Sequence, residues 1–237
     1  MNKVANVLII IPAYKEADNI ESLVNSIMYT CPQYDYVIVN DGSRDATRDI
    51  CQSRGYSFID LPINLGIGGA VQAGYKYAAR EGYTIAVQID GDGQHDVSQL
   101  DKIIEPLSCG GCDIVIGSRF IQREGFQSSV LRRLGIRFLS ALIFVCTGKK
   151  ILDVTSGYRA VNRKFIEIYA ENYPSDYPEP EAIVSAIMHK GKVMEIPVAM
   201  KERQAGTSSI HAWKSVYYMI KVTLAILVCR ISFGIRR

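Results

Sequence analysis

The feature that most restricts this chain is the apolar, β-branched run from Val4 to Ile11. A run without polar alternation suits a strand covered on both faces, and such strands belong to parallel sheets of α/β proteins. Pro12, Lys15, Glu16 and Asp18 follow at once, so the run is too short and too soon interrupted for an export signal. Ile20, Leu23, Val24, Ile27 and Met28 then recur at helical spacing. Tyr36 to Val39 predicts the next strand, and Ser43 is placed to cap a helix that runs to Arg54 and stops at Gly55. Ser57 to Leu61 predicts a short strand, Gly68 to Arg80 a helix, and Thr84 to Ile89 a strand. Leu100, Ile103, Ile104 and Leu107 mark a further amphipathic helix before a strand at Asp113 to Ile116. This alternation calls for an α/β fold with a mainly parallel sheet and helices on both faces. With 237 residues, 48% of them hydrophobic, one large domain of this kind has ample core.

In open α/β sheets, ligands bind beyond the carboxyl ends of the strands. That rule selects Pro12 to Glu16, Asn40 to Asp45 and Asp90 to Asp96. Asp90, Asp92 and Gln94 put three oxygen ligands on one glycine-containing turn, the donor type that Mg²⁺ or Mn²⁺ prefers. The competing reading is an Asp-Gly turn that caps a helix near Ser98. An EF-hand is excluded, because His95 stands where its glycine belongs and no Glu closes the loop. Asn64 to Gly69 opens a helix whose amides could meet a phosphate, but the glycine spacing is not a dinucleotide fingerprint. Close helix-to-sheet packing explains those glycines better. No Walker A loop or Ser-His-Asp set is present. A net charge of +3 does not imply nucleic acid. The six cysteines include one CxxC, Cys109 and Cys112, which supplies only two of the four ligands of a structural zinc; reduced thiols are expected.

The second half has a different character. Arg132, Arg133 and Arg137 precede the apolar stretch Phe138 to Cys146, and Lys149 and Lys150 follow it. A buried helix and an interfacial helix with arginines at headgroup level both fit. Residues 151–210 hold the turn-rich Asp153 to Arg159, the Pro-rich Tyr173 to Glu181, a helix to about His189 and a strand from Val193 to Met200. Ser215 to Phe233 would span ~28 Å as a helix, near bilayer thickness. Lys221 near its middle opposes a full span, at roughly 2.5–3.5 kcal/mol. Lys221 and Arg230 fall about 180° apart at ~100° per residue, so no single polar stripe holds both. The expectation is a catalytic domain over 1–212 and a membrane-lying or partner-bound helical segment over 213–237.

Seven segments occur in a telling order: Ile11-Pro-Ala-Tyr-Lys-Glu16, Val39-Asn-Asp-Gly-Ser-Arg-Asp45, Asn64-Leu-Gly-Ile-Gly-Gly69, Asp90-Gly-Asp-Gly-Gln-His95, Gly117-Ser-Arg-Phe120, Asp153-Val-Thr-Ser-Gly-Tyr-Arg159 and Arg203-Gln-Ala-Gly-Thr-Ser208. Together they resemble family 2 glycosyltransferases of the GT-A fold, closest to the polyprenyl-phosphate branch typified by dolichyl-phosphate mannosyltransferase. The resemblance implies a base and ribose pocket at Pro12, Tyr14, Glu16 and Asp41, and a metal held by Asp90, Asp92 and Gln94. It implies phosphate neutralisation by Arg119 and Arg203, with Ser208 on the same loop as Arg203, and an acceptor phosphate at Arg132 or Arg133. Lys15 replaces the family's usual Asn and is expected to face solvent. Where relatives carry an acidic acceptor-side pair, Tyr177-Pro-Glu-Pro-Glu181 stands, leaving Glu179 or Glu181 for that place.

The activity implied is an inverting, metal-dependent transfer of sugar from a UDP- or GDP-linked donor to polyprenyl phosphate at the cytoplasmic membrane face, by a peripheral or shallowly anchored enzyme. Asp92, Arg119, Arg203 and Glu181 would carry the chemistry. A phosphate acceptor is already ionised near neutral pH and needs no strong base, whereas a hydroxyl acceptor would. Transfer to a hydroxyl of a cell-surface polysaccharide or glycolipid, and a catalytically silent nucleotide-sugar-binding subunit that regulates a membrane partner, are the alternatives; the enzyme itself could take a small membrane-protein partner. Arg119 and Arg203 are expected to neutralise phosphate and to have no part in fold stability; the competing reading is a solvated surface charge.

Overall fold

The computed structural model describes residues 6–122, 129–201 and 212–235. Its seven strands form one sheet in the order β3-β2-β1-β4-β6-β5-β7. They are β1 Val7–Ala13, β2 Asp35–Asn40, β3 Phe58–Asp60, β4 Ile85–Gln88, β5 Ile114–Ser118, β6 Arg159–Asn162 and β7 Val193–Pro197. The helices are α1 Ile20–Thr30, α2 Thr47–Ser53, α3 Gly66–Arg80, α4 Leu100–Ser108, α5 Val130–Thr147, α6 Arg163–Glu171, α7 Pro178–Met188 and α8 Ala212–Ile235.

Every residue of β1 is buried. Leu8 and Ile10 join the core formed with α3, α5, α6, α7 and α8, while Val7, Ile9 and Ile11 join the core formed with α1 and α4. The strand period of two thus serves two cores from one unbroken apolar run. Gly74 of α3 lies where any Cβ would strike Ile10, so this glycine sets the closeness of helix to sheet.

Four details differ from the expectation. The strand β6 and the helix α6 were not anticipated, because a four-residue strand starting on Arg159 carries too little apolar pattern to stand out. Running antiparallel between β4 and β5, β6 carries the preceding loop, 153–158, to the carboxyl edge of its parallel neighbours. Ser43 does not cap α2; its Oγ accepts from Lys15 N at 3.0 Å, and Asp45 serves Thr47 N and Oγ1 instead. The Pro-rich stretch begins a helix, with Pro178 in the first turn, where a missing N–H costs nothing. The six cysteines are unpaired, as expected.

Among the described residues, no helix is long and apolar enough to cross a membrane. The helix α8 packs on α5 and α7 through buried Val222 and Ile226. Two of its cations are held separately: Lys221 pairs with Asp176 at 2.5 Å, and Arg230 Nε donates to Cys146 O at 2.8 Å. Opposite this packed side, Tyr217, Ile220, Leu224, Val228 and Ile231 form an exposed apolar stripe. Val130, Leu134 and Phe138 do the same on α5.

Candidate active site

Strand ends β1, β2 and β4 converge at one edge. Pro12 is buried, Tyr14 is exposed, and Lys15 turns through a left-handed backbone (φ 59°) that leaves its ammonium over the Tyr14 ring and in solvent. Glu16 accepts from Asn19 Nδ2 at 2.7 Å, and its amide donates to Thr47 Oγ1. Asp41 is buried, and its carboxylate accepts from Leu65 N at 2.7 Å, locking the 63–66 turn beside β2. Burial raises its pKa despite the amides of Leu65 and Gly66. Gly42 makes this closeness feasible: its φ is 62°, and a Cβ there would strike the backbone of Ile63 and Asn64. The first amides of α3 are not turned to a ligand, since Gly68 N donates to Ser175 O at 3.1 Å. Those glycines serve packing.

The Asp90–Gln94 turn is held from behind. His95, 4% exposed, accepts Asp90 N–H on Nδ1 at 3.0 Å, stacks on Tyr158 and keeps Nε2 3.7 Å from Asp90 Oδ2. Burial lowers the His95 pKa, with Asp90 and Asp92 partly opposing, so the ring is neutral. Gln88 Nε2 donates to Asp90 Oδ1, and Asp92 Oδ1 accepts from Gln94 N. The helix near Ser98 is capped by Asp96, which accepts Ser98 N at 3.2 Å, so Asp90 and Asp92 are not needed as caps. Gly157, on the loop before β6, stands where a Cβ would collide with both Asp90 oxygens. The side chain at 157 must be absent for that carboxylate to stay in place.

Arg119 is buried, which the surface-charge reading of this position does not fit. It is 7% exposed, and its guanidinium grips Asp153 through Nε and NH2, each at 2.7 Å, with Thr155 Oγ1 at 3.0 Å. Burial alone would lower its pKa, but the bonds and charge of Asp153, with Asp90 and Glu179 nearby, raise it. Asp153 is fully buried, and its amide and that of Leu152 are fixed by Glu195. Arg119 is therefore a buried, paired cation at the site wall. Arg132 faces this cluster from an exposed position: partial desolvation lowers its pKa, Arg119 adds to the effect, and Tyr218, Asp153 and Glu179 oppose it. Arg133, about 100° further round α5, lines a separate cleft.

The two glutamates of α7 also diverge. Glu179 feels Arg159, Asp90 and Arg132, and burial raises its pKa. Glu181 is raised by burial too, but its charge falls on Cys229 of α8. Glu179 thus joins the site and Glu181 does not. Arg203 and Ser208 lie outside the described residues. The segment leading to them starts at the Asp90–Gln94 turn, where Lys201 N donates to Gln94 O at 2.9 Å. Residues missed by sequence reasoning are His95, Gln88, Asp153 and Gly157. Their only signal was position inside or beside the motifs, because their work is to support other groups.

The family model for glycosyl transferase family 2 matches residues 8–169. The chain belongs to this family. It is 28% identical to polyprenol monophosphomannose synthase of Mycolicibacterium smegmatis over 91% of this chain and 84% of that one. It is 30% identical to UDP-N-acetylglucosamine–dolichyl-phosphate N-acetylglucosaminyltransferase of Methanococcus voltae, over 81% and 84%. Both relatives are polyprenyl-phosphate sugar transferases. Glucosyl-3-phosphoglycerate synthase of Mycobacterium tuberculosis, crystallised with Mn²⁺, UDP and glucosyl-3-phosphoglycerate, superposes with a TM-score of 0.68 at 18% identity, over 96% of this chain and 80% of that one. The GT-A-like fold and glycosyltransferase class follow.

The donor set suits a hard divalent cation. Among the described residues no three His, Cys, Asp or Glu side chains converge. Two carboxylates and an amide oxygen, completed by substrate phosphates, is the arrangement Mg²⁺ commonly uses.

Proposed function

We propose that this glycosyltransferase moves a sugar from a nucleotide donor, UDP-linked by preference, onto a polyprenyl phosphate, with inversion, at the cytoplasmic face of a membrane. The observation that carries this reading is Arg132: it faces Arg119, Asp153 and Glu179 from a helix whose outer stripe is exposed and apolar. A cation at that mouth suits an anionic headgroup, and the apolar stripes of α5 and α8 suit the lipid phase around it.

Pro12, Tyr14, Glu16 and Asp41 would hold the base and ribose. Asp90, Asp92 and Gln94 would hold Mg²⁺ or Mn²⁺, whose charge would offset that of the departing nucleoside diphosphate. An ionised phosphate oxygen attacks the anomeric carbon as the sugar–diphosphate bond breaks on the opposite side, so no proton need be taken from the acceptor. Arg132 would orient that phosphate, and Arg203 and Ser208 would meet the donor's phosphates. Arg119, held by Asp153, would act as fixed positive charge in the wall, preorganised because its partner does not move. The exposed stripe of α8 also leaves room for a small membrane-protein partner.

Glu179 supports a second reading. A carboxylate with a raised pKa beside the site is the group that a hydroxyl acceptor would need as base. Incubation with a donor panel and polyprenyl phosphate, followed by mass spectrometry of the lipids, separates the two. A glycosyl-phosphate lipid is expected. Sugar transferred only to hydroxyl acceptors would overturn the first reading, and release of free sugar alone would overturn both.

A further inference from the structure

A cleft of about 810 Å³ is lined by apolar side chains, Phe120 and Phe144 among them, together with Arg133, Arg137 and Lys150. Arg133, Arg137, Ala141 and Phe144 follow at i, i+4, i+8 and i+11, within roughly 80° of one another on α5 at about 100° per residue. Lys150 reaches the same cleft from beyond the helix end. None of these three cations makes a salt bridge or side-chain hydrogen bond among the described residues, and no carboxylate lines the cleft. The cleft opens next to the outward stripe Val130, Leu134 and Phe138, about a quarter turn away on the same helix.

We infer that this cleft binds an anionic glycerophospholipid of the surrounding leaflet, separate from the acceptor, and so fixes the tilt of the enzyme on the membrane. The inference rests on the membrane-surface reading above. Apolar walls with a cationic border match an amphiphile that carries its own negative headgroup. The acceptor is the poorer match, because Arg132 already turns toward the reaction site, and an uncharged isoprenoid tail gains nothing from three further cations. Basic residues near an anionic surface add to apolar burial, so the two features reinforce each other.

The test compares binding of the full chain to vesicles of phosphatidylcholine alone, of phosphatidylcholine with phosphatidylglycerol, and of phosphatidylcholine with undecaprenyl phosphate. The wild type should prefer the phosphatidylglycerol vesicles. Lys150→Ala should reduce that preference about five-fold, from about 1 kcal/mol per basic residue and 1.4 kcal/mol per decade. Lys149→Ala, an equal charge change outside the lining, should leave it nearly intact. Ala141→Trp, which fills the cleft without touching charge, should remove the preference and spare binding to phosphatidylcholine. Equal losses from Lys149→Ala and Lys150→Ala would mean diffuse surface attraction and overturn the inference, as would a full preference in Ala141→Trp. If undecaprenyl phosphate alone reproduces the preference and Lys150→Ala abolishes it, the occupant is the acceptor and the inference fails. Equal binding of the wild type to all three vesicles overturns the cleft assignment alone; binding to none overturns the membrane reading with it.

Discussion

The carboxyl edge of the sheet and the outer faces of α5 and α8 handle their awkward groups in opposite ways. At the sheet edge, polar and charged groups are brought inward and given partners: Asp153 to Arg119, His95 to the Asp90 turn, Asp41 to the amide of Leu65. On α5 and α8 apolar side chains are left outward with none, from Leu134 and Phe138 to Leu224 and Ile231. The first arrangement stores electrostatic order that the reaction can use without further reorganisation. The second leaves apolar surface beyond what scattered exposed residues explain. One region is finished by folding; the other is finished by whatever it meets.

The largest effect should come from breaking a completed pair at the sheet edge. Asp153→Ala removes the carboxylate that grips buried Arg119, and breaking such a buried ion pair costs about 3–5 kcal/mol. Denaturant unfolding should show this loss. The double variant Arg119→Met with Asp153→Leu should recover most of it, since packed apolar groups replace a buried pair at little cost, yet should remain inactive. Wild-type stability in Asp153→Ala would mean that the pair is solvated after all.

Next is Asp92→Asn. Its side chain is only partly buried, so melting should barely change while turnover falls by about 10²-fold or more, as on losing one preorganised charge-stabilising group. Excess EDTA should have the same effect on the wild type. Full turnover in either case would remove the metal assignment.

Legibility followed the same division. The alternation of strand and helix, the three loops at the sheet edge and the two apolar C-terminal stretches are all written in local pattern, and each stands where that pattern placed it. What escaped is what depends on tertiary contact. The strand β6 takes its place from being clasped between β4 and β5, not from its own four residues. The Arg119–Asp153 pair is invisible in local pattern because its members stand 34 positions apart. Gly157 looks like any turn glycine until the Asp90 carboxylate is set against it.

A smaller effect tests the unfinished region. Leu224→Glu and Ile231→Glu replace exposed side chains, so unfolding should shift by no more than about 0.5 kcal/mol. Membrane binding should fall by about ten-fold or more for each, given about 1.5–3 kcal/mol for a fully buried Leu or Ile. Transfer to long-chain acceptors should fall with it, while donor hydrolysis stays constant. Unchanged sedimentation with membranes would return both stripes to ordinary surface.

The smallest effect is the sharpest, because Glu179 and Glu181 stand two residues apart on α7 and serve different regions. Glu179→Gln should abolish transfer to a hydroxyl acceptor and spare transfer to a phosphate, which needs no base. Glu181→Gln should leave both reactions alone and change stability instead. Burial raises the Glu181 pKa above its unfolded value, so the folded state holds that proton more tightly. The resulting stability is fully present below about pH 4.3, the ordinary glutamate value, and is lost as pH rises through the folded pKa. Gln cannot ionise, so the variant should gain on the wild type across that window and keep a constant lead at neutral pH. Melting curves from pH 4 to 8 would show it. A lead that instead grows toward acid would mean a stabilised carboxylate, and lost turnover in Glu181→Gln would move the reacting acid from the partnered edge to the α8 side.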